Sequence, residues 1–562
     1  MKTKTLAIIL MLAMLAALLP ACKSGDEVPP PGRTTEPAKT SAKPQERVKI
    51  SYVSWNFGEI QPNSWAEQWI EERINVDLEP MRLDLSNAER RSLMFSTGEF
   101  PDCGWVYGAI PVDLFADKII RAIPINMVRE YSPSFAALAD GYPLIWKVGS
   151  QGHENEVLSL PGVQSGMSKI KPWASVYRYD WLEKVGIEPK GNVRLLDFGE
   201  HAQNIYATDE PFTLEELETI LEKFVKEDPD NNGKNDTIGM IADDGFGSRK
   251  SNLWVTLKGC FGLGAENLEE DGKLVLDYAS KAYKEFLTYA ARLYKKGLID
   301  KEFSSLSRFD GYEKFTEGKG GFIRAHVQDI DPTQPWASKV PPVSIRNNEG
   351  IKALVAPPES RNGVSSGPVR EPTDIYNAHF LVNVDVDDQK LAEILKLFEF
   401  INFDNGAVYA LRWGEEGVHF EYGDKENKSL PTLKEGMLQG NDTGLWAFNA
   451  NYICPREMLN IMYPKVAVEL QDMYFLPDGK LSRGIFFPYR LDLFNETAYA
   501  EKRKLLNPTL SAIEAEYFYD VIGGAKNVDD SWDSYINDLK TAGYDELVAE
   551  LEKAPLYADL VK

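Results

Sequence analysis

Residues 48–107 read VKISYVSWNFGEIQPNSWAEQWIEERINVDLEPMRLDLSNAERRSLMFSTGEFPDCGWVY, and their order of element types decides the fold class. Val48 to Val53 alternate polar with β-branched or aromatic side chains, the pattern of a strand. The spacing predicts a helix around Trp65–Arg73, a strand near Val76–Met81, a helix around Ala88–Ser96 and a strand over Cys103–Tyr107. Thr97-Gly98-Glu99-Phe100-Pro101-Asp102 stops the second helix. Strands separated by helices are joined by crossovers, so the pattern predicts an α/β fold with largely parallel sheets.

Toward the N-terminus the character changes. Lys2 and Lys4 precede an uncharged apolar run, Leu6 to Leu19, and Leu19-Pro20-Ala21-Cys22 closes it. The run is short for a span, which takes roughly 20 apolar residues, and has signal-peptide layout. The small residue before Cys22 resembles the lipobox of bacterial lipoproteins, in which cleavage leaves the cysteine as the lipidated, palmitate-bearing N-terminus. Residues 1–22 are therefore expected to be a lipoprotein signal peptide. Residues 23–46, rich in Pro, Ser, Thr and Lys, are expected to be a disordered tether. From residue 47 onward no stretch is long and apolar enough to cross a bilayer.

The 562-residue chain carries a formal net charge of −24. Phosphate-binding surfaces need clustered Lys and Arg, so nucleic acid is excluded as the main ligand. Besides Cys22 there are Cys103, Cys260 and Cys454, far apart and without a CxxC pair. They are expected to be buried thiols rather than a disulfide framework or zinc site.

Toward the C-terminus helices predominate. Thr213-Leu214-Glu215-Glu216 is a capping box opening a helix to about Lys226, with Leu214, Leu217, Ile220, Leu221, Phe224 and Val225 as its apolar stripe. Another helix is predicted over Lys281–Lys295, ending at Gly297. Strands are expected near Gly320–Arg324 and His379–Val384, a helix around Lys390–Phe400, and amphipathic helix from Leu510 with a break at Gly523-Gly524.

Between these, DPDNNGKNDTIG at 228–239 has the spacing of a loop for a hard cation. Asp228, Asp230 and Asn232 supply side-chain oxygens at positions 1, 3 and 5. Gly233 permits the bend, Lys234 offers its carbonyl and Asp236 stands at position 9. Position 12 is Gly239 rather than a bidentate Glu, so affinity on the order of 10⁻⁴–10⁻³ M is expected for a structural Ca²⁺. Asp243 or Asp244 are alternative donors, and a metal-free Asn/Asp/Gly turn is the competing reading.

Six blocks in order resemble the extracellular solute-binding protein family 1, the carbohydrate-binding lipoproteins of bacterial ABC transporters, including alginate-binding proteins and Gram-positive relatives. They are Ser96 to Asp102, Tyr177 to Gly186, Asp228 to Gly239, Leu293 to Asp300, Gly318 to Gly321 and Trp413 to His419. The resemblance implies a type II periplasmic-binding-protein-like fold, two α/β lobes hinged about an inter-lobe ligand cleft. Lobe 1 is expected over about 47–170 plus part of 330–420, and lobe 2 over about 171–330 plus much of 420–562. It also implies an oligosaccharide as ligand and ABC permease subunits as partners. The protein is expected to act as a monomer, lipid-anchored on the extracellular face of the membrane (periplasmic in a Gram-negative host).

Sugar rings present apolar CH faces and a rim of hydroxyls, so aromatic and polar side chains on loops after strands are the candidate contacts. These are Trp55, Asn56, Trp105, Tyr177, Arg324, His326, Trp336, Tyr376, Trp413, Glu416 and Trp446. Arg178, Arg324 and Arg412 are candidates for a local basic cleft, with Arg178 able instead to pair with Asp180. Enzyme signatures are weak. The five histidines form no HExxH, no GxSxG elbow occurs, and Gly318-Lys319 lacks P-loop spacing. With 86 Asp and Glu, a carboxylate pair about 5–10 Å apart for glycoside hydrolysis can always be nominated. The reading is therefore a binding protein that does no covalent chemistry. The alternatives are an extracytoplasmic glycan hydrolase stabilised by calcium, or the same fold binding a peptide or signalling ligand.

Overall fold

The computed structural model describes residues 47–560 apart from 54–60, 82–87, 165–172, 199–201, 242–256, most of 328–337, 366–374, 423–430, much of 435–464, 476–487 and 495–496. Twelve strands build two six-stranded sheets: β1 (Val48–Val53), β2 (Val76–Pro80), β3 (Cys103–Tyr107), β4 (Leu160–Gln164), β5 (Trp173–Arg178), β6 (Arg194–Leu195), β7 (Ile205–Ala207), β8 (Ile238–Met240), β9 (Gly320–His326), β10 (Ala353–Ala356), β11 (Ile375–Val382) and β12 (Ile453–Cys454). Sheet I has the order β2-β1-β3-β11-β4-β12, and sheet II the order β8-β9-β5-β10-β7-β6.

Both sheets are mixed rather than largely parallel as the strand–helix alternation predicts, with one internal strand reversed in each. In sheet I β11 runs antiparallel to β3 and β4. In sheet II β5 runs antiparallel to β9 and β10, and the short edge strand β6 is also reversed. Connectivity explains the internal reversals. The chain passes from β4 in sheet I to β5 in sheet II, and returns from β10 in sheet II toward β11 in sheet I. Each departure is from the C-terminal end of a strand. Each arriving strand starts at the C-terminal rim of its new sheet and must run backwards through it. The register fixes this: Trp173 faces His326, and Ile375 faces Val163. A third passage follows β12, whose Cys454 lies beside Gln164.

The helices form where local signals ask for them. Among them are α1 (Trp65–Glu71), α2 (Ala88–Ser96), α3 (Leu214–Lys226), α4 (Lys281–Lys295), α5 (Asp388–Phe403), α6 (Asn405–Trp413), α7 (Lys465–Phe475), α8 (Tyr499–Ile522), α9 (Val528–Thr541) and α10 (Tyr544–Leu551). α1 and α3 open on reciprocal capping boxes, Ser64/Glu67 and Thr213/Glu216. α4 ends in a Schellman motif: Leu298 N–H donates to the Leu293 carbonyl at 3.0 Å, Gly297 N–H to Tyr294 at 2.8 Å, with Gly297 at φ +74°. Gly321 has another reason. A Cβ there would lie 2.2 Å from the Phe224 ring and 2.8 Å from Trp181, so only glycine lets α3 close on β9.

α8 begins eleven residues before the amphipathic stretch expected from Leu510, running through Pro508. Proline removes one backbone bond, but the helix continues because Tyr517, Phe518, Val521 and Ile522 are seated in the core. The principal core of sheet I gathers β1, β3, β4 and β11 against α5, and that of sheet II gathers α3, α4 and α8–α10. Cys103, Cys260 and Cys454 are buried free thiols. Among the described residues no helix is long and apolar enough to cross a membrane.

Candidate functional site

Because every passage between the sheets leaves from a C-terminal rim, those two rims are the candidate site for a ligand held by both lobes. On sheet I the rim is organised by the start of α1, the helix that follows β1. Ala66 N–H donates to the Thr443 carbonyl at 2.9 Å, and a Cβ on Gly444 would lie 2.4 Å from Ser64 Oγ. The Trp65 ring centroid lies 4.6 Å from that of His419. His419 in turn accepts from Glu415 N–H through Nδ1 at 3.0 Å and closes the 414–419 loop. Three loops nominated from the sequence thus converge on Ser64–Ala66: the one after β1, the one after α6, and 443–448. Trp55, Asn56 and Trp446, which they carry, lie outside the described residues. Glu416 is exposed at its loop tip. Tyr376 sits in β11 opposite Gly162, next to a register shift, with its side chain outside the described set.

Three nominated aromatics have no ring face left for a sugar. Trp105 is fully buried in the middle of β3, against Phe380 and Phe398 at 5.6 and 5.7 Å. Trp413 closes α6 inside a cluster with Phe420, Leu433 and Leu445. Tyr177 is fully buried in the sheet II core. Strand pairing rather than loop position decides the fate of Trp105 and Tyr177, since β3 and β5 are internal strands covered on both faces.

On sheet II, Arg324 and His326 end β9, with Arg324 opposite Ser175 and Ser175 opposite Ala356. Arg324 is buried and His326 half-buried; Trp336 lies outside the described residues. Just past β10 sits a group the sequence did not single out. Glu359 is fully buried, and Tyr177 Oη donates to its Oε1 at 2.5 Å. Loss of water pushes the Glu359 carboxyl up to about 7, with Tyr177 and Ser175 only partly offsetting it. The arginines do not converge. Arg178 stands at the opposite rim, facing Ala353, and makes a buried two-point pair with Asp180 at 2.9 and 2.7 Å. Arg412 belongs to α6 on sheet I. A cleft shared by the three is ruled out.

The 228–239 loop lies between α3 and β8. Its side chains already gather: Asn232 Nδ2 donates to Asp230 at 2.7 Å and to Asp236 at 3.0 Å, while Asp228 accepts from the Asn232 and Gly233 N–H groups at 3.2 and 2.9 Å. Asp228 is held low, first by its hydrogen bond with Asp230. Asp230 is raised, first by its partial burial and then by Asp228. The carboxylates are oxygen donors of the kind a hard cation takes, but Asn232 stands among them with its Nδ2, its Oδ1 accepting from the Lys234 N–H at 2.7 Å. A twelfth-position carboxylate has no room, because a Cβ on Gly239 would lie 2.7 Å from the Leu298 carbonyl. Asp243 and Asp244 are outside the described residues. Among the described residues no group of three or more His, Cys, Asp or Glu is placed to hold a metal.

Two mixed α/β sheets exchanging chain at their C-terminal rims define the class, a two-lobe fold of the periplasmic-binding-protein type. Solved structures agree on the fold. The "HMO binding ABC-transporter associated Solute Binding Protein" from Bifidobacterium longum infantis superposes with a TM-score of 0.64 at 15% identity, covering 92% of this chain and 99% of its own. The fructo-nystose complex of an EF-hand mutant of FusA from S. pneumoniae gives 0.59 at 20% identity, covering 90% and 98%. In sequence the chain is similar to carbohydrate substrate-binding proteins of ABC transporters. It is 26% identical over 463 residues to Lipoprotein LipO of Bacillus subtilis, covering 80% of this chain and 77% of LipO. It is 24% identical over 460 residues to the polygalacturonan/rhamnogalacturonan-binding protein YtcQ of the same organism, covering 80% of each. With the fructooligosaccharide ABC transporter substrate-binding protein FusA of Streptococcus pneumoniae it shares 26% over 582 residues, 98% of each chain. No family model matches the chain.

Proposed function

We propose that this protein captures an oligosaccharide between its two lobes and hands it unaltered to the permease subunits of an ABC importer, anchored by lipid on Cys22. The observation that carries this reading is the meeting of three loops at Ser64–Ala66 on the sheet I rim, together with Arg324 and His326 ending β9 on the sheet II rim. Trp55, Asn56, Arg324, His326, Trp336, Tyr376, Glu416 and Trp446 are the proposed contacts. Rings stack on CH faces and polar groups replace the hydrogen bonds sugars make with water. The ligands in the relatives' names, fructooligosaccharide and polygalacturonan/rhamnogalacturonan, span neutral and acidic chains.

With a net charge of −24 and Arg178 committed to Asp180, the neutral class is favoured. Calorimetric titration with neutral fructo-oligosaccharides and with oligogalacturonates is expected to give saturable heat with the former and weaker heat with the latter. Flat heats with both, or release of shortened sugars, would overturn the reading; heat with peptides alone would move it to the peptide alternative.

Calcium at Asp228, Asp230, Asn232, Asp236 and the Lys234 carbonyl is the second part of the proposal, as a brace between α3 and β8. At about 5 mM free Ca²⁺ a site of the weak extracellular kind adds roughly 1–2 kcal/mol. The melting temperature is expected to rise with Ca²⁺ in the wild type and to stay flat in Asp228→Asn. An equal rise in both would assign the effect elsewhere.

A further inference from the structure

Residues 489–494 and 497–499 are gripped by both cores. Tyr489 and Tyr499 pack on the sheet II core, while Leu493 and Phe494, between them, pack on the sheet I core. The grip on sheet II is a backbone clip. The buried Asn267 side chain donates from Nδ2 to the Arg490 carbonyl at 3.1 Å and accepts from the Arg490 N–H at 3.0 Å. One side chain so uses both halves of its amide to stand in for a strand neighbour. The C-terminal segment adds a second side to the clip. Leu491 N–H donates to the Pro555 carbonyl at 3.2 Å, Tyr557 N–H to the Tyr489 carbonyl at 3.1 Å, and the Arg490 guanidinium to the Ala554 carbonyl.

The other end is made differently. Asp492 accepts from Thr497 N–H at 3.1 Å and from Thr497 Oγ1, which ties together the two ends of the stretch that carries Leu493 and Phe494. These two side chains are half-buried and hold by apolar contact alone among the described interactions. Alongside the clip lies a cavity of about 470 Å³ walled by Glu266, Asn267, Arg490, Leu491, Asp492 and Tyr499. The segment is therefore not backed by packed core on that side.

We propose that residues 489–494 are a strap between the lobes, additional to the three chain passages, latched to lobe 2 by Asn267 and residues 554–557 and to lobe 1 by Leu493 and Phe494. The inference rests on the two-lobe fold and is independent of which ligand is bound. Directional hydrogen bonds tolerate little sliding, whereas two half-buried apolar side chains can slide or lift. Hinge motion thus parts the strap at Leu493–Phe494 and leaves the clip intact.

The test is pulsed electron-spin distance measurement on the full chain without ligand, with labels at Asp113→Cys and Glu313→Cys, one on each lobe. Releasing either end, with Asn267→Ala or with Leu493→Ala/Phe494→Ala, is expected to broaden the inter-lobe distance distribution. The triple variant is expected to be no broader than either, since a strap cut at one end is already free. Distributions that superimpose on the parent in both variants, or broadenings that add in the triple variant, overturn the proposal. Urea melting accompanies each variant; should the lobe 1 pair weaken folding, Asn267→Ala, on the other lobe, decides the outcome.

Discussion

Replacing Trp105 with alanine is expected to lower stability by about 3–5 kcal/mol while leaving oligosaccharide affinity of the folded fraction unchanged. The indole is fully buried in an internal strand and packed edge-on to Phe380 and tilted on Phe398. Its removal leaves a cavity bounded by side chains of β11 and α5, neither of which can collapse without disturbing the sheet I core. Trp105→Phe, which keeps most of the volume, is expected to cost less. Urea melts measure the first quantity and calorimetry at low temperature the second. A Trp105→Ala protein that melts like the wild type yet no longer binds sugar would return this residue to the ligand site.

The fate of Trp105 shows where sequence reading stopped. Cys103–Tyr107 is recognisable as a strand from its own residues, as is each capped helix, because capping boxes and Schellman glycines act within a few residues. What Trp105 faces depends on β11, whose Phe380 is its register partner from far along the chain. The same holds for Tyr177, covered by Phe322 and Leu354 from two strands that the sequence gives no means of aligning. Trp65 goes unnoticed as a rim residue because its signal, the Ser64/Glu67 capping box, announces a helix start and says nothing of His419 or Thr443. Arg178 is legible as a choice between two partners, and packing against Trp181 settles it, with the guanidinium 4.7 Å from the indole centroid.

The topology is half legible for a related reason. Alternation of strands and helices gives parallel neighbours, and the pairings that involve none of β5, β6 and β11 are all parallel. The reversed β5 and β11 arise only because the chain changes sheets, an event without local signature. That event also marks out the candidate site, since it brings both C-terminal rims to the passages.

Replacing Glu359 with glutamine is expected to stabilise the protein increasingly as pH rises. The carboxyl is fully buried, its neighbours Tyr177, Ser175 and Cys260 are neutral, and its value of about 7 stands above the ordinary 4.5 because burial penalises the charge. Arg361, two residues on, is engaged with Glu285 at 2.8 Å and lies over the Phe261 ring. Between pH 4.5 and 7 the folded state holds a proton that the unfolded state has lost, so stability falls across that window. The loss is complete above pH 7 and amounts to roughly 3 kcal/mol for a shift of this size. Glutamine keeps an oxygen to accept from Tyr177 and carries no charge to bury, so its advantage is expected to be near zero at pH 4.5 and largest at pH 8. Urea midpoints of both proteins across this range provide the measurement. A difference that stays constant with pH would mean that the Glu359 carboxyl remains ionised in the interior, and that some cation on the sheet II rim neutralises it.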